Sequence, residues 1–188
     1  MNRFKYILAS KSPRRQHLLK ELGLEFEVRT RDTDESFPPH LKAEEVPLFL
    51  AEKKANVLKG ELRSDELLIA ADTIVWIQNQ VLNKPDDHAD AVRMLKLLSG
   101  NMHQVFTGVC LASQTKAITF FAETKVYFKV LSDAEIEHYI QAFKPFDKAG
   151  AYGAQDWIGL VGVKRIEGTY FNVMGLPMFE LYRELERF

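Results

Sequence analysis

The chain has 188 residues, of which 46% are hydrophobic and 27% are charged, a composition typical of a globular protein with one domain or two lobes that share a core. Its formal net charge is -1, so no overall basic field indicates nucleic-acid binding, and anion recognition must be local. No apolar run approaches the ~20 residues needed to cross a bilayer, and the first residues lack a signal-peptide pattern. We therefore expect a cytoplasmic protein. The single cysteine, Cys110, excludes an intrachain disulfide, and its apolar surroundings predict a buried, inert thiol.

The first element is a short apolar strand that leads through a turn into a helix. Ser12 suits the N-cap, Pro13 the first helical position and Gly23 the helix stop. The turn places Arg14 and Arg15 beside the backbone N–H groups of a helix start, which is a candidate anion site. It lacks the glycine-rich loop of a P-loop. The alternative is an ordinary capped helix with two exposed arginines.

The remaining pattern predicts alternating strands and helices. In chain order we first expect a half-buried strand at 26–30, an acidic loop at 29–40 and a helix at 43–59. A strand follows at 67–71, is interrupted by Asp72 and Thr73, and resumes at 74–77. A hairpin tip at 78–80 and a helix at 87–98 come next. Further on we expect long strands at 103–112 and 117–130, a helix capped by Ser132, a glycine-rich turn region at 146–159, strands at 160–166 and 169–174, and a last helix opened by Pro177. This order favours an α/β protein with an elongated mixed sheet.

Three stretches depart from the pattern of their elements in ways that core packing does not require. Asp72 interrupts an apolar strand, where a carboxylate is costly unless it is paired, bound to a metal or facing a cleft; a bulge is the structural alternative. Lys84 stands before a proline at the end of a strand, where an ordinary surface lysine is the alternative. The segment 147–155 combines small residues with Lys148 and Gln155, which suits a close backbone approach to a ligand. Its alternative is a glycine-rich turn.

Other common catalytic sites are missing from the sequence. The five histidines show no metal-ligand spacing, so we expect most of them at the surface or at helix caps, and no nucleophile elbow is present. What is left is a set of acids and bases on different loops: Asp34, Glu35, Asp72, Arg14, Arg15, Lys54, Lys84 and Lys148. Carboxylates that hold a divalent cation, with cations that hold phosphates, are the parts of phosphoryl or nucleotidyl chemistry. The residue pattern alone leads to this class and no further.

Motifs along almost the whole chain resemble the Maf family of nucleoside-triphosphate pyrophosphatases. The matching stretches are Leu8-Ala9-Ser10-x-Ser-Pro-Arg-Arg, Asp34-Glu35, Leu50-Ala51-x-x-Lys54-Ala55, Ala71-Asp72-Thr73-x-Val75, Lys84-Pro85, residues 91–107, residues 147–155 and Gly175-Leu176-Pro177. The segment Gly-Ala-Tyr-Gly-x-Gln resembles the branch that hydrolyses dTTP and UTP. The resemblance implies an ITPase-like fold of the Maf/Ham1 type, in which an elongated mixed β-sheet is flanked by helices. It also implies a single domain over residues 1–188, with two lobes around a central cleft.

The resemblance further implies a role for each site residue. Asp72 would be the general base, and Glu35 and Asp72 would hold Mg²⁺ or Mn²⁺. The implied catalytic residues are Asp72, Lys84 and Lys54, and the implied substrate-binding residues are Ser10, Arg14, Arg15, Thr73, Lys148 and Gln155. Among these, Arg14, Thr73 and Gln155 would set the base preference. Lys53 adjoins Lys54 where the family commonly has a glutamate.

The implied reaction is attack of a water molecule on the α-phosphorus of dTTP or UTP, which yields the nucleoside monophosphate and pyrophosphate. The partner would be this small-molecule nucleotide, with no nucleic acid and no membrane, and the family suggests a homodimer. Two alternatives stay open. One keeps the fold and changes the substrate to other or modified nucleotides, and the other is a non-catalytic regulator of cell division or septum formation.

Overall fold

The computed structural model describes residues 4–188, and within them the strands form one mixed sheet. Residues 1–3, which belong to the stretch predicted to lack a signal peptide, lie outside the described residues. The strands are Lys5–Leu8 (β1), Phe26–Val28 (β2), Glu66–Ile77 (β3), Gln80–Leu82 (β4), Met102–Ala112 (β5), Ala117–Phe128 (β6) and Val163–Glu167 (β7). Their order in the sheet is β2-β1-β3-β5-β6-β7, and β4 pairs with β3. β1 runs parallel to β2 and β3, whereas β4 is antiparallel to β3 and β7 to β6, so the predicted mixed sheet is confirmed.

Seven helices accompany the sheet in residues 4–188, together with a short 3-10 turn at Ala149–Ala151. The helices are Pro13–Glu21 (α1), Glu45–Lys59 (α2), His88–Leu98 (α3), Asp133–Phe143 (α4), Trp157–Gly162 (α5), Tyr170–Met174 (α6) and Met178–Arg187 (α7). Ser132 begins α4 with a full capping box, as its sequence predicts. None of the helices in the described part of the chain is long and apolar enough to span a membrane.

The predicted interruption of β3 is wrong, because the strand runs continuously through Asp72 and Thr73. Asp72 is only 9% exposed, but an ammonium group from α2 contacts its carboxylate, so the buried charge has a partner. The strand predicted at 26–30 is also too long. β2 ends at Val28, and Thr30 lies beyond it.

Two further strand predictions fail near the C-terminal end. Residues 160–162 belong to α5 and only 163–167 form a strand, so the prediction at 160–166 began too early. The predicted strand at 169–174 is the helix α6. There the Thr169 hydroxyl accepts the Asn172 N–H at 3.3 Å. The buried Asn172 amide also donates to the Val105 carbonyl at 3.1 Å and to the Thr124 hydroxyl at 3.0 Å. These tertiary contacts outweigh the β propensity of the aromatic residues.

The chain divides into two compact units. The first comprises Met1–Thr73, Thr107–Ala122 and Gly175–Phe188, and the second comprises Ile74–Phe106 and Glu123–Met174. In the first unit α2 packs its apolar residues on β1, β3 and β5, around a core of Ile7, Ala51, Ala55, Leu58, Leu68 and Cys110. In the second unit α3, α4 and α5 pack around a core that includes Leu95, Leu98, Tyr139, Ile140 and Ile158. Cys110 is buried, as predicted, and burial raises the pKa of its thiol to about 11.

Candidate active site

A lysine bridges two carboxylates in the first unit. Lys54 lies on α2, and its Nζ donates to Oδ1 of Asp72 at 2.6 Å and to Oε1 of Glu35 at 2.8 Å. Asp72 comes from β3, whereas Glu35 comes from the loop between β2 and α2. The two carboxylates therefore converge on a single cation position.

The two adjacent lysines of α2 have different partners. Lys53 donates through its Nζ to Oδ2 of Asp34 at 3.2 Å and to the Ser36 carbonyl at 3.1 Å. The Ser36 hydroxyl also donates to this Asp34 carboxylate. Lys54, by contrast, contacts the buried Asp72. The geometry thus agrees with the resemblance in placing Lys54, and not Lys53, beside the candidate base.

Arg15 ties together three distant parts of the first unit. Its Nε donates to the Gly175 carbonyl at 2.8 Å, and its Nη1 donates to the Ala71 carbonyl at 2.7 Å and to the Ser10 hydroxyl at 3.4 Å. Its Nη2 donates to the Thr73 hydroxyl at 3.0 Å. Since a guanidinium has five N–H donors, these contacts use four of them. Arg15 therefore fixes the positions of its neighbours and keeps about one donor for a ligand.

Charges in the first unit act on one another around Asp72. Burial lowers the pKa of Arg15, and the charge of Asp72 opposes that shift. Arg14 lowers the pKa of Arg15 further, whereas Glu35 raises it. Two negative charges and one positive charge thus act on the Arg15 guanidinium.

The turn between β1 and α1 differs from a simple capped helix. Ser12 occupies the N-cap position and Pro13 the start of the helix, but the Ser12 side chain makes no capping hydrogen bond. Instead the hydroxyl of Ser10, which is 8% exposed, accepts the Ser12 N–H at 3.2 Å. Arg15 also donates to this hydroxyl. Ser10 is therefore fixed at a helix N-terminus, the location at which proteins commonly bind anions.

The remaining predicted site residues belong to the second unit. Lys84 is exposed and follows β4, and the carbonyl of the preceding Asn83 accepts the Gly150 N–H at 3.0 Å. This bond ties the end of β4 to the glycine-rich segment. Lys148 lies at the start of that segment and donates to Oδ1 of Asp147 at 2.8 Å. Oε1 of Gln155 is buried without a hydrogen-bond partner in the described part of the chain, so this acceptor is available to a ligand.

The predicted site residues are thus divided between the two units. In the first unit they are Ser10, Arg14, Arg15, Glu35, Lys54, Asp72 and Thr73, and in the second unit they are Lys84, Lys148 and Gln155.

Sequence reasoning missed a buried polar pair within the second unit. His103 on β5 is 1% exposed, and its Nε2 lies 2.7 Å from the hydroxyl of Tyr152 in the glycine-rich segment. Burial lowers the pKa of His103 to about 3, so the imidazole is neutral near pH 7. His103 is therefore an exception among the five histidines, since the other four are exposed, as expected for most of them. The sequence signal for its burial is the apolar β-strand pattern in which His103 lies.

The buried His103 makes the stability depend on pH. In the unfolded chain a histidine titrates near ~6.5, but in the folded protein the pKa is about 3. Below ~pH 6.5 the unfolded state binds a proton that the folded state does not, so this stability is complete above that pH and is lost as the pH falls. We expect His103→Gln to reduce the drop in unfolding free energy between about pH 7.5 and pH 5 by ~2 kcal/mol. Urea denaturation at both pH values measures this difference.

The matched control is His17→Gln, at an exposed position on α1. That variant should keep the pH dependence of the unmodified protein. An equal pH dependence in His103→Gln and in the unmodified protein would contradict the assignment.

The carboxylates of the first unit also fit the divalent cation that the resemblance implies. Within residues 4–188 no cluster of three or more His, Cys, Asp or Glu residues is arranged to hold a metal ion. Mg²⁺, however, is commonly bound by one or two carboxylates, with water and substrate phosphates completing its coordination. Glu35 and Asp72 already share one cationic group, the ammonium of Lys54. The donor set therefore suits a cation that arrives with a nucleotide.

Comparison with known proteins defines first the fold and then the family. The fold is similar to that of the *Staphylococcus aureus* Ham1 protein, with a TM-score of 0.52 over 97% of this chain and 98% of that one, at 12% sequence identity. Residues 5–188 match the family model described as Maf-like protein, and the chain belongs to the Maf family.

Two full-length relatives illustrate the similarity. A protein of *Phocaeicola vulgatus* named dTTP/UTP pyrophosphatase is 51% identical, over 100% of this chain and 97% of the relative. One of the same name from *Flavobacterium johnsoniae* is 50% identical, over 98% of this chain and 95% of the relative.

Proposed function

We propose that this protein is a nucleoside-triphosphate pyrophosphatase that hydrolyses dTTP and UTP to the monophosphate and pyrophosphate. The observation that carries the proposal is the buried Asp72 carboxylate, which contacts Lys54 and lies within electrostatic range of Arg15. The full-length relatives with that name support the substrate.

Asp72 is the proposed general base for the attacking water. A carboxylate oxygen accepts protons, and a positioned base of this kind contributes about 10²–10⁴-fold to a rate. Lys54 contacts Oδ1 of this carboxylate and so fixes its orientation. The proton of the water would pass to Asp72 as the water oxygen attacks the α-phosphorus.

The cationic side chains would bind the triphosphate. Ser10 and the N-terminus of α1 offer O–H and N–H donors, and Arg14 and Lys84 offer positive charge. Arg15 would contribute its remaining donor while it holds Ser10 and Thr73 in place. These groups would stabilise the charge that develops on the leaving pyrophosphate.

Glu35 and Asp72 are the residues that would hold Mg²⁺ or Mn²⁺. When bound, such an ion would supply positive charge next to the phosphates and would lower the pKa of a water molecule.

Gln155 is proposed to read the base. Its buried Oε1 can accept a hydrogen bond and its Nε2 can donate one. Thymine and uracil present the same edge, an N3–H donor beside an O4 acceptor, whereas cytosine presents an acceptor and a donor in the opposite order. One amide orientation therefore suits both dTTP and UTP and disfavours CTP. Arg14 and Thr73 would assist this base preference. Lys148 would also contact the substrate.

A panel of nucleoside triphosphates tests the proposal. We expect release of pyrophosphate and monophosphate from dTTP and UTP in the presence of Mg²⁺ or Mn²⁺, with kcat/KM for CTP lower by at least about tenfold. Both products should be measured by chromatography, and the panel should include modified pyrimidine nucleotides.

The products separate the alternatives. Exclusive release of orthophosphate would overturn the pyrophosphatase assignment, and a strong preference for a modified nucleotide would change the substrate but keep the reaction. A protein that hydrolyses none of the panel would favour the regulator. The single-domain organisation and the homodimer remain predictions.

A further inference from the structure

Asp156 occupies a helix N-cap but does not use its side chain as a cap. It begins α5 with an extended backbone, φ -85 and ψ 174, yet makes no side-chain capping hydrogen bond. An N-cap aspartate ordinarily accepts an N–H from the first helical turn. Here its Oδ2 instead accepts the hydroxyl of Tyr139 at 2.7 Å and lies 3.6 Å from Nζ of Lys148. Contacts outside the helix therefore orient this carboxylate.

Tyr139 connects the carboxylate to the backbone of the glycine-rich segment. The ring is buried on α4, with 0% exposure. Its hydroxyl oxygen accepts the Gly153 N–H at 3.1 Å, while its proton is donated to Asp156. Burial and the neighbouring carboxylate raise the pKa of Tyr139, so the hydroxyl keeps its proton. The result is a directed chain of hydrogen bonds from Gly153 through Tyr139 to Asp156.

Gln155 lies between Gly153 and Asp156, the two residues at the ends of this chain of hydrogen bonds. The Asp156 N–H donates to the Gly153 carbonyl at 3.0 Å and closes a turn around Gln155. The amide of Gln155 packs so closely on Gly153 that a Cβ added there would lie 2.7 Å from its Nε2. The same added Cβ would lie 2.6 Å from Oδ2 of Asp156. The orientation of the Gln155 amide therefore depends on this turn.

We propose that Tyr139 and Asp156 are positioning residues that set the base preference by holding the Gln155 amide in one orientation. The proposal rests on the proposed function, in which Gln155 reads the pyrimidine edge. Neither residue contacts the reacting atoms. Both act through Gln155, and the Asp156 carboxylate also attracts the ammonium group of Lys148.

Removal of the Tyr139 hydroxyl should relax discrimination and leave the chemical step intact. In Tyr139→Phe the Gly153 N–H loses its acceptor and Asp156 loses the hydroxyl donor, so α4 no longer holds the turn. We expect the ratio of kcat/KM for UTP to that for CTP to fall by roughly tenfold. The change should come from a higher KM for UTP, with kcat within about twofold, because an interaction made equally in the ground state and the transition state affects KM.

Three variants separate this role from a general structural one. Tyr182→Phe removes another hydroxyl that donates to a carboxylate, on the exposed face of α7, and should leave the ratio unchanged. Asp156→Ala should lower the ratio as Tyr139→Phe does, and it tests the proposal should the buried variant fail to fold. Asp156→Asn keeps an acceptor for the Tyr139 hydroxyl, so it should largely restore the ratio. Circular dichroism and thermal unfolding establish that each variant is folded.

A double-mutant cycle with Gln155→Ala decides whether the two residues act through Gln155. In that background Tyr139→Phe should lower the ratio no further, because the amide that it positions is gone. An additional tenfold loss there would overturn the proposal, as would an unchanged ratio in folded Tyr139→Phe or Asp156→Ala. If the unmodified protein hydrolyses neither UTP nor dTTP, the proposed function is overturned and this proposal with it. If the unmodified protein is active but the variants have unchanged ratios, only the positioning role is overturned.

Discussion

Asp72→Asn is expected to lower the rate of pyrophosphate release from UTP and dTTP by about 10²–10⁴-fold, the usual contribution of a general base. Asparagine has nearly the same shape as aspartate, but its amide does not accept a proton at neutral pH. The phosphate-binding groups, Ser10 and Arg14, are unchanged. Nucleotide binding, measured by isothermal titration calorimetry, should therefore stay within about tenfold of the unmodified value while turnover is lost.

The control for this variant makes the same change at the surface just before β3. Asp65 is an exposed carboxylate that also pairs with a lysine, at 2.8 Å from Nζ of Lys5. Asp65→Asn should keep full turnover, because an exposed ion pair contributes little to stability and this one lies outside the site. Near-normal pyrophosphate release by Asp72→Asn would remove Asp72 from the role of base.

The elements that the sequence predicts well are those whose signals are local. α4 follows from its apolar periodicity and from the capping box at Ser132, and α3 ends at Leu98, as predicted. The hairpin tip is confirmed as well, since Gln78 and Asn79 both adopt positive φ, 50° and 59°. In each case the residues that decide the conformation lie within a few positions of one another.

The predictions that fail depend on residues far apart in the chain. A buried carboxylate in β3 is unfavourable by itself, and the lysine that pairs with it comes from α2. The helix α6 is stabilised by the Asn172 amide, whose acceptors lie on β5 and β6. The local spacing of residues predicts neither the pairing of Lys54 with Asp72 nor the acceptors of the Asn172 amide.

The same limit applies to the candidate site. The motifs predict Arg15 as a site residue, but they do not show that its guanidinium donates to the Gly175 carbonyl and the Thr73 hydroxyl. Nor does spacing distinguish Lys53 from Lys54, whose side chains contact different acids in the fold. The sequence predicts which residues belong to the site, and the fold determines which of them position the others.

Gly108→Ala is expected to destabilise the protein by about 3 kcal/mol, at the upper end of the usual cost of overpacking. Gly108 is a buried residue of β5 against the first turn of α2. A Cβ at this position would lie 2.4 Å from the carbonyl carbon of Pro47 and 2.5 Å from the Leu48 nitrogen. Both are backbone atoms, so no rotation of a side chain relieves the clash and α2 itself must move. Urea denaturation of the purified variant measures the loss.

This prediction also connects the core to the chemistry, because α2 carries Lys54. A shift of the helix that relieves the clash at Pro47 would move Lys54 relative to Asp72, so turnover of UTP should fall together with stability. The control is Gly60→Ala at the C-terminal end of the same helix, where φ is -68° and an added Cβ meets nothing within 4 Å. That variant should be as stable as the unmodified protein, or more stable by up to about 1 kcal/mol, since alanine restricts the unfolded chain. Equal stability of the two variants would show that β5 accommodates a side chain at Gly108 without moving α2.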